Sequence, residues 1–311
     1  MTSVPLPPAA QDASPSDSLS RRRMLFGAGV TAGALLGVLP VASPATASPA
    51  RRPVGPAAAF DVVVTQDSIT APSTVPSGPV TFRVTTPTEG GMGLPLVAIR
   101  VPIDTYLDDL TRMNNAPTPA EAAAAAKVVE GESVNLGGAA VQPGVGATYT
   151  QILWPGRYYF LAYDFDSAAR PVAHALTVQG AGTGEPPEPV DVIRHTRSGF
   201  FVPDDRLHAD GTHLVINDSG VLNEAVLLPV RPGTTAAEVD AFFAALREGT
   251  TPPSNPIIGG ATGSPPLSPG RTARVAASLP PGGYVLSSWI TSSTTGRPRV
   301  FDGFYKLVTL A

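Results

Sequence analysis

The chain of 311 residues carries 35 Pro, 31 Gly and no Cys, with 43% hydrophobic and 15% charged residues. This composition excludes disulfides, zinc-thiolate sites, thiol nucleophiles and lipidated cysteines together, and points to many short strands and turns rather than a helical bundle or a disordered chain. The formal net charge of −4, with no basic stripe beyond the N-terminus, offers nothing to nucleic acid or to an anionic membrane.

Residues 1–47 read as a signal peptide of the twin-arginine type. A polar lead ends in Ser20-Arg21-Arg22-Arg23, a weakly apolar run follows from Leu25 to Val41, and Ala45-Thr46-Ala47 supplies an Ala-x-Ala site. The apolar run holds 17 residues, four of them Gly, short of the roughly 20 that a spanning helix needs. The expectation is export with cleavage near Ala47 and no membrane span in the mature chain.

Residues 48–59 form a Pro/Ala-rich linker. Phe60 to Val64 is a strand candidate. Pro79 to Thr85 alternates, with Val80, Phe82 and Val84 inward and Thr81 and Arg83 outward, the period of a half-buried strand. Leu94 to Val101 is a further strand. Leu107, Leu110 and Met113 place a short amphipathic helix over 104–113. Thr118-Pro119-Ala120-Glu121 is a capping box with Pro at the first helical position, opening an Ala-rich helix to about Val129. Gly137-Gly138 ends the helical insert, return strands follow, and Val172 to Val178 closes the unit over 60–180.

Residues 181–190, with their Pro-Pro pair, are a short spacer, and a second unit spans 191–311. Leu214 to Ile216 and Glu224 to Val230 match the earlier strands. Thr235-Ala236-Ala237-Glu238 is again a capping box, leading a helix to about Arg247 with Val239, Phe242, Phe243 and Leu246 on one face. Thr251 to Pro256 stands where the first unit has its second helix. Gly259-Gly260 mirrors Gly137-Gly138, and Leu307 to Leu310 closes the unit.

The two units share a spaced motif. Pro143-Gly144 is followed by Pro155-Gly156-Arg157-Tyr158, and Pro269-Gly270 by Pro281-Gly282-Gly283-Tyr284, 126 residues later; an Arg-Pro pair comes next in each, Arg170-Pro171 and Arg297-Pro298. The common offset of the Pro-Gly and Tyr residues, with the Arg-Pro pairs one residue further apart, marks an internal duplication. The expected fold class is all-β, as two tandem Greek-key sandwiches with short helical inserts.

Asn217-Asp218-Ser219-Gly220, Pro232-Gly233-Thr234-Thr235, Leu279-Pro280-Pro281-Gly282-Gly283-Tyr284 and Gly296-Arg297-Pro298 resemble the cupredoxin-like domains of secreted bacterial proteins. The resemblance covers nearly all of 60–180 and 191–311. It implies a type 1 copper site of His, Cys, His and an axial Met, where thiolate and imidazole suit electron transfer. Carried onto this chain, those positions fall at about Leu94, Ala162 and Val172 in the first unit. In the second they fall at about Asn223, Ser288 and Arg299, with Phe304 near the Met position. None has the required chemistry, and without Cys no blue-copper centre can form, so the expected cofactor is none.

The four His are His174, His195, His208 and His213. His195, His208 and His213 could meet on one face and bind zinc or Cu(II), helped by Asp204, Asp205 or Asp210; without a metal-type spacing, exposed or turn-capping roles are the plainer reading. Asp108-Asp109, Asp204-Asp205 and Asp164 with Asp166 read as solvated surface carboxylates rather than an acid/base pair. No nucleophile elbow or phosphate loop is present. Trp154, Tyr158, Tyr159, Phe160, Tyr163 and Phe165 form the aromatic centre of the first unit, and some must point away from its core. The chain is therefore expected to be a secreted, non-catalytic binding or structural protein, its ligand or protein partner unspecified; the alternative is a His/Asp metal-binding protein.

Overall fold

The computed structural model describes residues 55–165 and 167–311; the expected export signal, the linker as far as residue 54, and Asp166 lie outside them. The first half contributes β1 (Ala58–Val64), β2 (Ile69–Thr70), β3 (Thr74–Thr85), β4 (Met92–Ile99), α1 (Ile103–Asn114), α2 (Pro119–Glu132), β5 (Ser133–Val141), β6 (Ala147–Leu153), β7 (Gly156–Asp164) and β8 (Val172–Ala181). The second contributes β9 (Asp191–Thr196), β10 (Gly199–Phe201), β11 (Arg206–Leu207), β12 (His213–Asn217), β13 (Asn223–Pro229), α3 (Ala236–Glu248), β14 (Thr262–Leu267), β15 (Thr272–Ala277), β16 (Gly282–Ser287) and β17 (Tyr305–Leu310). The fold class is all-β, and each expected strand and helix forms.

Local chemistry explains the elements. In β3, Val80, Phe82 and Val84 are buried and Arg83 is exposed, so the period-two pattern sets the face. The Thr118 hydroxyl accepts the Glu121 N–H at the start of α2, and Thr235 with Glu238 completes a reciprocal capping box on α3. The repeated Pro-Gly-x-Tyr forms a tyrosine corner in both halves: Tyr158 Oη donates to the Trp154 carbonyl at 3.0 Å and Tyr284 Oη to the Pro280 carbonyl at 2.8 Å. Each bond pins the strand that starts at the Gly to the residues before its turn.

The strands form two sheets. One runs β2–β1–β3–β6–β15–β12–β9–β10. The other runs from the start of β3 through β8–β7–β4–β5–β14–β13–β16–β17–β11. The pairings of the first half recur in the second: β1–β3 and β9–β12 are parallel, for example, while β4–β5 and β13–β14 are antiparallel. The halves join edge to edge through equivalent strands, β5 with β14 and β6 with β15, both antiparallel.

Both sheets thus pass through both halves, and so does the apolar layer between them, which includes Phe82, Tyr149 and Phe160 beside Val215, Leu227 and Leu286. A second apolar layer lies between the outer face of the second sheet and the helices. There Tyr163 and Phe165 of the first half share a cluster with Val226, Phe242 and Trp289 of the second. The glycine correspondence expected from sequence is corrected. Gly138 pairs with Pro95 and Gly263 with Val226, and a Cβ on either would meet the preceding residue's carbonyl in the paired strand, Leu94 O at 2.1 Å or Ala225 O at 2.4 Å. Gly263, not Gly259-Gly260, is therefore the counterpart of the first pair. Among the described residues no helix is long and apolar enough to cross a membrane.

Candidate functional site

The four positions that the resemblance assigns to copper ligands converge in the second half. The Asn217-Asp218-Ser219-Gly220 turn is held from within, Ser219 Oγ donating to Asn217 Oδ1 at 2.6 Å. It leads into β13, where Asn223 and Glu224 are fully buried. Asn223 Nδ2 donates back to Ser219 Oγ at 2.9 Å. The Glu224 N–H donates to Ser288 Oγ at 3.4 Å, and the Ser288 N–H to the Phe304 carbonyl at 3.0 Å. Arg299, 5% exposed, places its guanidinium 5.4 Å from the centre of the Phe304 ring. His195 on β9 completes the surroundings: its Nε2 donates to the Glu224 carbonyl at 3.0 Å, and its ring lies 5.1 Å from that of Phe200.

This group does not fit a copper ion. A guanidinium has no lone pair to offer a metal, and its fixed charge repels a cation. Asn, Ser and Phe supply no soft donor in place of the thiolate. Arg299 Nε and Nη2 and Asn223 Oδ1 have no hydrogen-bond partner among the described residues. The electrostatics run against charge on the neighbours too: burial lowers the His195 imidazole from 6.5 to about 4, with Arg299 adding to the effect. In the first half the equivalent positions are apolar. Leu94 is buried, and Ala162 pairs directly with Val172 across β7 and β8.

Glu224 is the residue that sequence reasoning missed. One carboxylate oxygen accepts the Trp289 backbone N–H, the indole N–H going to Ser287 Oγ; the other has no partner among the described residues. Burial raises its pKa from 4.5 to about 8, the Trp289 bond opposing the rise. Its charge also raises the pKa of the buried Tyr163 phenol across the junction of the halves, after burial itself.

The three candidate metal-binding histidines separate into two places. His208 and His213 gather on Asp191, an acid not among those named from sequence. The His208 Nδ1 and backbone N–H donate to the two oxygens of Asp191 at 2.9 and 2.7 Å, and His213 Nε2 lies 3.6 Å from Oδ2. His213 Nε2 also donates to the His208 carbonyl at 3.1 Å. His195 stands four residues further along β9 and is committed to the Glu224 carbonyl. Asp205 pairs with Lys306 at 2.6 Å, and no group of three or more potential metal-ligating side chains occurs among the described residues.

The other expectations resolve by residue. Asp108 accepts from Arg170 Nε at 3.0 Å, but Asp109 is not a solvated surface carboxylate: it is buried, 5% exposed, and pairs with Arg112 because it lies on the inward face of α1. Asp164 accepts from Gln66 at 2.7 Å; Asp166 lies outside the described residues. Phe160, Tyr163 and Phe165 are buried, but Trp154 is 73% exposed. It therefore does not belong to the aromatic centre, because the tyrosine corner uses its backbone carbonyl and leaves the indole outside.

No family model and no curated protein matches the chain. Among solved structures it is similar to auracyanin B, at 17% identity over 41% of this chain and 92% of that one, with a TM-score of 0.25. Reduced auracyanin from Roseiflexus castenholzii matches at 19% identity, 40% and 100% coverage, and a TM-score of 0.25. A copper-containing nitrite reductase from Thermus scotoductus matches at 9% identity over 84% and 69%, with a TM-score of 0.21. Likeness at this level carries no chemistry from those proteins to this chain.

Proposed function

We propose that the chain is an exported, non-catalytic binding or structural protein built from two cupredoxin-like units that have exchanged the copper site for other side chains. The observation that carries the reading is the buried Arg299 lying against Phe304, whose carbonyl accepts the Ser288 N–H. A fixed internal cation there is incompatible with a metal cation in the same place. The test is elemental analysis and visible absorption of protein purified from its native host. Copper well below one equivalent and no blue band are expected; stoichiometric copper overturns the reading. N-terminal sequencing of the extracytoplasmic protein checks the export component, with a first residue just after Ala47 expected.

A second reading, metal binding through imidazole, rests on the shared contacts of His208 and His213 with Asp191. It predicts calorimetric binding of zinc or Cu(II) that is lost in a His195→Ala, His208→Ala, His213→Ala triple variant. Equal heats from both proteins would remove it.

A further inference from the structure

The duplication provides an internal reference for Arg297. Arg170 and Arg297 hold matching places, each before a Pro in the connection to the last strand of its half. Arg170 is saturated with carboxylates: Nη2 donates to Asp104 Oδ1 at 2.8 Å and Nε to Asp108 Oδ1 at 3.0 Å, tying its connection to α1. In the second half α3 follows β13 as α1 follows β4. There Asp240 accepts the Tyr305 hydroxyl at 2.9 Å and Glu238 closes the capping box, and no ion pair joins Glu248 to Arg297 among the described residues. Arg297 instead donates to the Arg247 backbone carbonyl at 3.4 Å and has no carboxylate partner among the described residues.

Arg297 stands on the rim of a groove of about 350 Å³ between the N-terminus of α2 and the C-terminus of α3. Its lining includes the apolar side chains of Trp289, Phe301 and Leu246, with the charged Arg247 and Glu248 beside Arg297. Such a volume is at the lower end of small-molecule sites, and an apolar floor with a few charged groups is their usual make-up. Two guanidiniums against one carboxylate leave a single net positive charge, which suits a monoanion better than a dianion.

We propose that this groove binds a small organic monocarboxylate, Arg297 with Arg247 taking the carboxylate as Arg170 takes Asp104 and Asp108, and the apolar remainder lying against Trp289 and Phe301. The proposal gives the binding reading above a site and a ligand class, and rests on it. The guanidinium fork matches a carboxylate geometrically.

The chain has two Trp, and Trp154 is exposed while Trp289 is buried in the groove lining. A Trp154→Phe protein therefore makes Trp289 the sole indole reporter. It is titrated with benzoate, benzamide and inorganic phosphate at fixed ionic strength. A saturable fluorescence change with benzoate alone is expected, weakened at least about tenfold in Arg297→Met, as for loss of a charge-assisted hydrogen bond. Arg247→Met, at the exposed end of α3, provides an independent variant with a loss in the same direction. Arg170→Met removes the same charge from the first half and leaves the benzoate response unchanged. No saturable change with benzoate, equal binding of benzamide or phosphate, or a response indifferent to both Arg297 and Arg247 overturns the proposal. Copper content is measured separately, so failure of the groove is distinguishable from failure of the copper-less reading.

Discussion

Replacing Glu224 by Gln separates two opposed buried titrations. In the folded protein Glu224 holds its proton to about 8 against an ordinary value of 4.5. The unfolded chain releases that proton first, so the stability it contributes is complete below 4.5 and is lost as pH rises to 8. At about 1.4 kcal/mol per pH unit the loss is ~5 kcal/mol. His195 acts in the other direction, with its folded pKa lowered from 6.5 to about 4. Its contribution is complete above 6.5 and is lost as pH falls through 4, ~3 kcal/mol in all. From these two groups the slopes cancel between 4.5 and 6.5, and above 6.5 only the Glu224 loss remains, ~2 kcal/mol by pH 8.

Glu224→Gln keeps an oxygen for the Trp289 N–H and cannot ionise. Its stability relative to the parent should therefore climb by ~5 kcal/mol from pH 4.5 to pH 8. Urea unfolding followed by tryptophan fluorescence at closely spaced pH values measures this difference, in which the titrations common to both proteins cancel. A difference constant to within about 1 kcal/mol across that range, well below the expected span, refutes a buried, proton-holding Glu224.

Five further substitutions test the architecture. A Cβ at Gly296, which has φ +66°, would lie 1.7 Å from the Pro119 carbonyl oxygen, whereas one at Gly303, with φ +91°, meets nothing within 4 Å. Gly303→Ala should cost about 1 kcal/mol for the backbone alone and Gly296→Ala about 2 kcal/mol or more for backbone strain plus the clash, both read from urea midpoints. Tyr158→Phe and Tyr284→Phe should each cost about 1 kcal/mol, equal losses being the sign of equivalent corners in the same assay. Trp154→Ala should change thermal stability by less than about 0.5 kcal/mol, since its indole is exposed.

The legible part of the fold was the part determined by local chemistry. Alternation in β3, the Thr118 and Thr235 caps and the twin Pro-Gly-x-Tyr turns each act within a few residues, so they leave a mark in the order of the side chains. Edge-to-edge joining of β5 with β14 and β6 with β15 leaves none, because strand pairing adds backbone bonds without changing the side-chain period. The same holds for the candidate site. Asn223, Ser288, Arg299 and Phe304 could be placed because they sit at fixed distances from turn motifs. Glu224 resembles any outward polar residue at the head of a strand until both faces of its sheet are seen to be covered. Asp191 was overlooked because its partner His208 reaches it from a different strand connection, 17 residues on. Gly259-Gly260 misled for the opposite reason: a dipeptide match outweighed the single Gly263 that faces the neighbouring carbonyl.

The seam between the halves has a consequence for how such a molecule assembles. Because equivalent strands meet there antiparallel, the contact has the form of the self-complementary interface of a two-fold dimer, written into one chain. A polypeptide carrying only one half would present the unpaired edges of two stacked sheets side by side, and a second copy of itself is the partner those edges fit. Covalent linkage makes that encounter intramolecular, so the contact forms at any dilution. It also frees the two halves from being identical: Arg170 is bound to carboxylates of its own half, while Arg297 is left open.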